Sequence, residues 1–556
     1  MARHPAVPVL TESRMAPPTH AHALSRSERF ITLLGVLLGL LLAALDQTIV
    51  ATAGPAMQAD LHIAPAHYPW LTTAYLVAST VMLPLFGKLS DLFGRKPILV
   101  AGILLFVLGS VLCGLSRSTL HVILARVVQG VGSASLFTSA FTVVADLFPP
   151  SVRGKYQGLI GAVFAFSSVV GAPLGGFLTD HFSWHWVFFI NLPVGLVALA
   201  FILLRMPSLH PRAGEQRPRL DLAGALALML AVVPLLLALS LGQGRYAWGS
   251  APILGLFTLS AVGLVLFVLA ERRAHEPLLD LRLFRNRVFG VGNLTVCILG
   301  AGFLSAIVFL PLFMVNVVGL SATRSGLTLI PLTLGVVAGN VLAGQLVSHL
   351  GRYRLLMLGS LVVLTAGYAL MGFTLSSDST QAEVTVKMVL VGVGLGPSLP
   401  LYTLAIQNAV PPAQVGVATA SVTFFRQMGS TIGVALLGTV FASTLATELS
   451  TRTAGLPPEV RERLQSSGTG GSGGEGAAVE QFSAATRTGA LPQLKAEAQH
   501  EVATVGEGEA ALKAGFTRAI SAIYRIAIFI SVMGFLLTLF LPELPLRRSN
   551  APLPPE

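Results

Sequence analysis

Charge is scarce in this 556-residue chain: only 11% of its residues are Asp, Glu, Lys or Arg, while 53% are apolar. With a mean hydropathy of +0.76, a folded globule would have too little polar surface to face water. A soluble protein is thereby excluded, and a bilayer is the fitting solvent. Cysteine is scarcer still. Cys113 and Cys297 each fall inside an apolar run, which excludes a disulfide framework and a cysteine metal site. Clustered nucleophiles, bases or metal ligands at membrane depth are also missing, which argues against an enzyme. The chain shows no sizeable soluble domain of the kind a membrane sensor carries.

What the chain has in abundance is long apolar runs. The first 29 residues contain none; rich in Pro, His, Ser and Arg, they read as a disordered cytoplasmic tail. His4, His20 and His22 suit that solvated tail better than a metal site. The first run, from Phe30 to Ala53, is too long for a signal-peptide core and is expected to stay as span 1. A hydrocarbon core of ~30 Å takes ~20 helical residues. Fourteen runs qualify: 31–53, 69–87, 98–115, 120–145, 157–180, 186–204, 222–241, 252–270, 289–316, 326–348, 355–375, 384–408, 418–444 and 520–541. The pattern is six, two, six. It divides the chain into a tail (1–29), a six-helix bundle (30–205), a linker with two inserted spans (206–288), a second six-helix bundle (289–541) and a tail (542–556).

The net charge of +11 follows from topology. Lys88, Arg95, Lys96, Arg153, Lys155, Arg212, Arg217, Arg219, Arg272, Arg273, Arg282, Arg285, Arg287, Arg352 and Arg354 all fall in loops on one side of this arrangement. The opposite short loops hold little beyond Arg117, Arg245 and Arg324. Lys and Arg are retained in the cytoplasm during insertion, so both termini are expected there. The segment 445–517, with a Gly-Ser-rich centre at 468–476, is then a loosely ordered outer loop. Its end, before Phe516, suits a short amphipathic helix.

Two halves repeat one another. Gly87-Lys-Leu-Ser-Asp-Leu-Phe-Gly-Arg95 returns as Gly344-Gln-Leu-Val-Ser-His-Leu-Gly-Arg352, each after the second span of its half. Pro149-Pro-Ser-Val-Arg-Gly154 returns as Pro411-Pro-Ala-Gln-Val-Gly416 before the fifth span. Gly171-Ala-Pro-Leu-Gly175 returns loosely as Gly433-Val-Ala-Leu-Leu-Gly438. Spans 7 and 8 have no counterpart in either half and read as an insertion.

Five motifs, in order, resemble the fourteen-helix drug:proton antiporter family of the major facilitator superfamily. They are Leu45-Asp-Gln-Thr-Ile-Val50, Gly87 to Lys96, Arg126-Val-Val-Gln-Gly-Val-Gly132, Gly171-Ala-Pro-Leu-Gly-Gly176, and Trp184-His-Trp-Val-Phe-Phe-Ile-Asn-Leu-Pro193. The likeness runs from about Leu45 to Leu541. His185 stands where the family usually has Arg, and Ala51 to Pro55 depart from the usual continuation of span 1. The resemblance implies an all-α polytopic bacterial inner-membrane protein, multi-pass and monomeric, set in membrane lipid. It implies export of lipophilic, in part cationic, drugs in exchange for protons, without cofactor, metal, nucleotide or nucleic acid. Export of a native lipid, siderophore or metabolite fits the same scaffold.

An ionisable side chain at membrane depth is costly unless paired or hydrated, which singles out Asp46. It lies ~21 Å along span 1 from Thr32, and Arg126 lies ~10 Å along span 4 from the other side, at nearly the same depth. Burial disfavours a charged carboxylate and a neighbouring guanidinium favours it, so alternating access can load and unload a proton there. A static pair orienting spans 1 and 4 is the plainer alternative. The resemblance gives Gly87, Asp91, Gly94, Arg95 and Lys96 a gating role, with Asp91 near a helix N-terminus and Arg95 near an acid. The two glycines are expected to end span 2 and reverse the chain. Ser348 replaces the acid in the second half, so such a gate is expected to be asymmetric.

Gly171, Pro173, Gly175 and Gly176 form the span-5 exporter motif. With Gly130 and Gly132 they suit either a sliding surface or ordinary close packing, and Pro173 is expected to kink span 5. The cluster Gly392 to Gly396 resembles a nucleotide loop only superficially, since no strand precedes it. Glu383 and Lys387 read as an i, i+4 surface pair. Arg426 sits about two turns inside span 13, where it can snorkel or serve a site. Phe137, Phe164, Phe166, Phe303, Phe309, Phe313 and Met314 suit an apolar cavity and equally suit packing against lipid or neighbours.

Overall fold

The computed structural model describes residues 25–64, 67–207, 220–242, 246–320, 327–452 and 502–547. His4, His20, His22, Arg212, Arg217, Arg219, Arg245, Arg324 and the 468–476 stretch lie outside these residues. The described residues form helices and connecting turns, with no strand among them.

The first half comprises α1 (Arg26–Asp60), α2 (Trp70–Phe93), α3 (Arg95–Gly114), α4 (Thr119–Leu147), α5 (Pro150–His181), α6 (His185–Phe189) and α7 (Asn191–Arg205). α8 (Leu222–Gly242) and α9 (Ala251–Arg273) follow. The second half comprises α10 (Arg287–Asn316), α11 (Leu329–Leu350), α12 (Arg354–Thr374), α13 (Gln381–Leu395), α14 (Ser398–Asn408), α15 (Val415–Arg452) and α16 (Val502–Leu539). Fourteen helical stretches are long and apolar enough to cross a membrane, and the protein is a multi-pass membrane protein. Large apolar side chains such as Leu204, Phe529 and Phe540 stand exposed on its outside, where only lipid suits them.

Helix ends follow local chemistry. Ser25 and Glu28 form a capping box, so α1 starts at Arg26, inside the segment read as tail. Pro150 occupies the first turn of α5, where its missing N–H costs nothing, and α5 starts seven residues before the apolar run. Span 12 is divided into α13 and α14 around Pro397, which cannot donate to the helix ladder. At the chain's far end the expected short amphipathic helix and the last span are one helix, α16, and α15 runs on to Arg452. The C-terminal segment also docks: Arg547 donates to the Asn408 carbonyl and accepts from the Ser151 N–H.

In the first half α4 packs on α2 and α3, and α1 lies against α4, α5 and α7; in the second, α10 packs on α15 and α16, and α13 joins α11 to α12. α8 and α9 pack mainly on each other, and α8 reaches α2 and α15. Two seams join the halves, α2 with α15 and α5 with α11. Both depend on glycine. A Cβ on Gly87 would lie 2.5 Å from the Ala420 Cβ, and one on Gly344 would lie 2.4 Å from the Gly154 carbonyl oxygen.

Candidate functional site

The most deeply buried charges lie between α1 and α4. Arg126 donates to Asp46 Oδ2 at 2.5 Å, to Gln129 Oε1 at 2.7 Å and to the Leu71 carbonyl at 2.8 Å. Its guanidinium sits 4.3 Å from the centre of the Tyr75 ring. Gln129 Nε2 donates to Asp46 Oδ1 at 2.7 Å, so both carboxylate oxygens are held. The network continues outward from Gln129 to Ser110, which accepts from Asn191 Nδ2 and donates to the Phe188 carbonyl. Asp46 is fully buried and Arg126 is 1% exposed. In so dry a site the pair persists because every donor and acceptor is matched, and protonating Asp46 would release a guanidinium that must then find another acceptor.

Sequence reasoning picked out Asp46 and Arg126 and missed Gln129, Ser110 and Tyr75. The signal for Gln129 was present: it stands three residues after Arg126, on the same helix face, inside the motif already noted. Ser110 and Tyr75 carry no such mark, because neutral residues in an apolar run cost little and do not stand out.

A second charged cluster occupies the α2–α3 corner. Arg95 bridges Asp91 at 2.6 Å and Asp146 at 2.7 Å. Asp91 Oδ1 accepts from the Gly416 N–H at 3.0 Å and Oδ2 from the Val417 N–H at 2.8 Å, at the N-terminus of α15 in the other half. Gly94, at φ 91°, makes the turn alone. Gly87 was expected to help end the helix, but α2 runs through it to Phe93; its lack of a side chain admits the α15 backbone instead. Lys96 donates to the Leu203 and Met206 carbonyls at the end of α7, and Lys88 pairs with Glu276 beyond α9 at 2.6 Å. Nearby, Arg153 and Gln157 both donate to Gln407 Oε1 across the halves.

The span-5 motif lies on α1. A Cβ on Gly171 would meet Thr48 Oγ1 at 1.9 Å and one on Gly175 would meet Thr52 Oγ1 at 2.2 Å, whereas Gly176 has open space. Pro173 is exposed, and α5 continues through it to His181. Gly392, Gly394 and Gly396 face the backbones of α11 and α12. Lys387 and Glu383 form an ion pair. Of the aromatics, Phe137 and Phe164 stack at 5.7 Å, Phe166 is exposed, and Phe309, Phe313 and Met314 are buried in the core.

Paired charges inside a polytopic helical protein, with glycine seams between two repeated halves, define a membrane carrier. Residues 36–434 match the profile of the Major Facilitator Superfamily, and the chain belongs to that family. It is a transporter of small molecules and not an enzyme. It is 39% identical over 415 residues to the Multidrug transporter protein MdtP of Bacillus subtilis (strain 168), covering 75% of this chain and 76% of that protein. It is 37% identical over 463 residues to Multidrug resistance protein 3 of the same organism, covering 83% and 88%. The solved structure of the proton:xylose symporter XylE bound to 6-bromo-6-deoxy-D-glucose shares the fold, with a TM-score of 0.56, 14% identity and coverage of 94% and 97%.

Proposed function

We propose that the protein is a secondary active exporter of lipophilic drugs or other toxic compounds, some of them cationic, in exchange for protons. The observation that carries this reading is the buried Asp46–Arg126 pair, bonded at 2.5 Å between α1 and α4 where no other carboxylate serves Arg126. The names of the two Bacillus relatives supply the class of cargo. In this reading the protein works as a monomer in the bacterial inner membrane, as two six-helix bundles with α8 and α9 inserted between them. Both termini are cytoplasmic, since the basic loops lie on the face of the α2–α3 corner.

Asp46 accepts a proton from outside and yields it inside, and Arg126 holds the deprotonated state. Asp91, Arg95 and the turn from Gly87 to Lys96 hold the cytoplasmic face closed, so the described conformation is the one shut on that side. Gly171, Pro173, Gly175 and Gly176 let α5 move along α1.

The test is ethidium efflux from energised inside-out-controlled vesicles with wild type, Asp46→Asn and a protonophore. Active efflux is expected to fall at least about tenfold with either perturbation, since a neutral amide neither carries a proton nor pairs fully with Arg126. Efflux that survives Asp46→Asn would move coupling elsewhere. A well-expressed wild type that moves no dye would instead favour a narrow native cargo.

A further inference from the structure

The buried charges described above all have partners. Arg126 has Asp46, Arg95 has two carboxylates, Arg153 has carbonyls and Gln407, and Lys387 has Glu383. Arg426 is different. It stands eleven residues into α15, ~16 Å from the Val415 end and thus near the middle of a ~30 Å core. Among the described residues it makes no hydrogen bond or ion pair, and its Nε is buried without a partner. A guanidinium at that depth costs several kcal/mol unless something neutralises it.

Its position is at the seam. The next residue, Gln427, accepts a hydrogen bond from Thr80 of α2 at 2.9 Å, which ties the halves together at mid-depth. On the other side the Arg426 carbonyl lies against Gly300 of α10, so that face is filled by backbone. Other unsatisfied polar atoms cluster at similar levels. Asn293 Oδ1 on α10 is buried and unpartnered, one turn before Cys297, whose carbonyl meets Gly429. Thr138 Oγ1 and Ser139 Oγ are buried and unpartnered on α4, which packs on α15 across the seam. Arg426 itself is only half-buried, so a ligand between the halves can reach it.

We propose that Arg426 binds an acidic group of the transported molecule, so that the cargo includes lipophilic compounds bearing a carboxylate or similar oxyanion. The planar guanidinium offers paired donors matched to two such oxygens, and the hydroxyls of Thr138 and Ser139 can add more. The cargo thereby neutralises a cation that the protein leaves unpaired. This deepens the export reading and rests on it, but it is tested by binding alone, so a failure of dye efflux and a failure of this assignment are separate results.

The experiment measures equilibrium binding of 1-pyrenebutyrate and of its methyl ester to purified full-length protein in detergent, with wild type, Arg426→Gln and Arg426→Lys. The acid is expected to bind wild type at least tenfold more tightly than the ester. That preference should vanish in Arg426→Gln, persist in part in Arg426→Lys, and leave ester binding within about twofold throughout. Thermal unfolding of each variant checks folding, and Arg426→Gln is expected to be no less stable than wild type, because it removes a desolvated charge. Equal affinity of wild type for acid and ester, or an acid preference that survives Arg426→Gln, overturns the assignment. Displacement of pyrenebutyrate by phosphatidylglycerol but not phosphatidylcholine would assign the anion to a lipid headgroup and equally overturn the cargo role.

Discussion

Where α2 crosses α15, Gly87 lies against Gly416; where α11 crosses α5, Gly344 lies against Gly154. The sequence repeat pairs these same positions, so one contact has been duplicated. Around it the chemistry diverges. Asp91 takes two N–H groups from α15 and is bound by Arg95, itself only 6% exposed. The matching Ser348 donates to its own helix at the Gln345 carbonyl, and the matching Arg352 is exposed. The donors differ too. α15 starts at Val415, so Gly416 and Val417 are first-turn residues with free N–H groups. α5 starts at Pro150, so Gly154 is already past its first turn. The comparison teaches that one seam is held by charge and shape, and the other by shape alone.

Breaking the charged seam should have the largest effect. Asp91→Asn removes the charge from two N–H bonds and from Arg95, weakening closure by about 3 kcal/mol. Spin labels on the α2 and α15 ends of that face should show a longer mean distance in the variant; an unchanged distribution would sink the idea. Next comes a wedge in the uncharged seam. Gly344→Val places a branched side chain where even a Cβ lies 2.4 Å from the Gly154 carbonyl, for about 1–3 kcal/mol of overpacking, and the same spectroscopy across α5 and α11 reads it. Lys88→Gln removes the pair with Glu276, whose carboxylate side is half exposed, so a loss of only about 0.2–1 kcal/mol is expected, and it should fade in high salt. The smallest effect is the sharpest test. Ser348→Asp restores the missing acid but meets no free N–H pair, so closure should change by less than about 0.5 kcal/mol. A strong stabilisation by this variant would show that the acid alone makes the difference.

Much of this architecture was legible beforehand. Each apolar run became a helix, since the length a bilayer demands is written directly into composition. Asp46 and Arg126 were legible as lone charges in such runs, and helix rise placed them at one depth. What escaped had physical reasons. The residues before Phe516 lack the hydropathy of a span, yet they continue α16 because nothing interrupts the helix there. Gln129, Ser110 and Asn191 complete the Asp46 network as neutral groups, invisible to a search for charge. The bonds from Asp91 to Gly416 and from Thr80 to Gln427 join residues more than three hundred positions apart, and no local pattern encodes such a meeting.

The glycines of α5 have a mechanical meaning. On one side of this helix Gly154 and Gly158 lie against backbone of α11, at 3.3 Å from the Gly344 carbonyl oxygen and 3.5 Å from that of Asn340. On another side Gly171 and Gly175 lie against α1. Interlocked side chains resist sliding because each must change rotamer to pass its neighbour, whereas a bare backbone track has no teeth to disengage. α5 is therefore built like a shaft running between two bearings, one in each half. Rocking can turn about it with little friction, and a single methyl group on either track would act as grit.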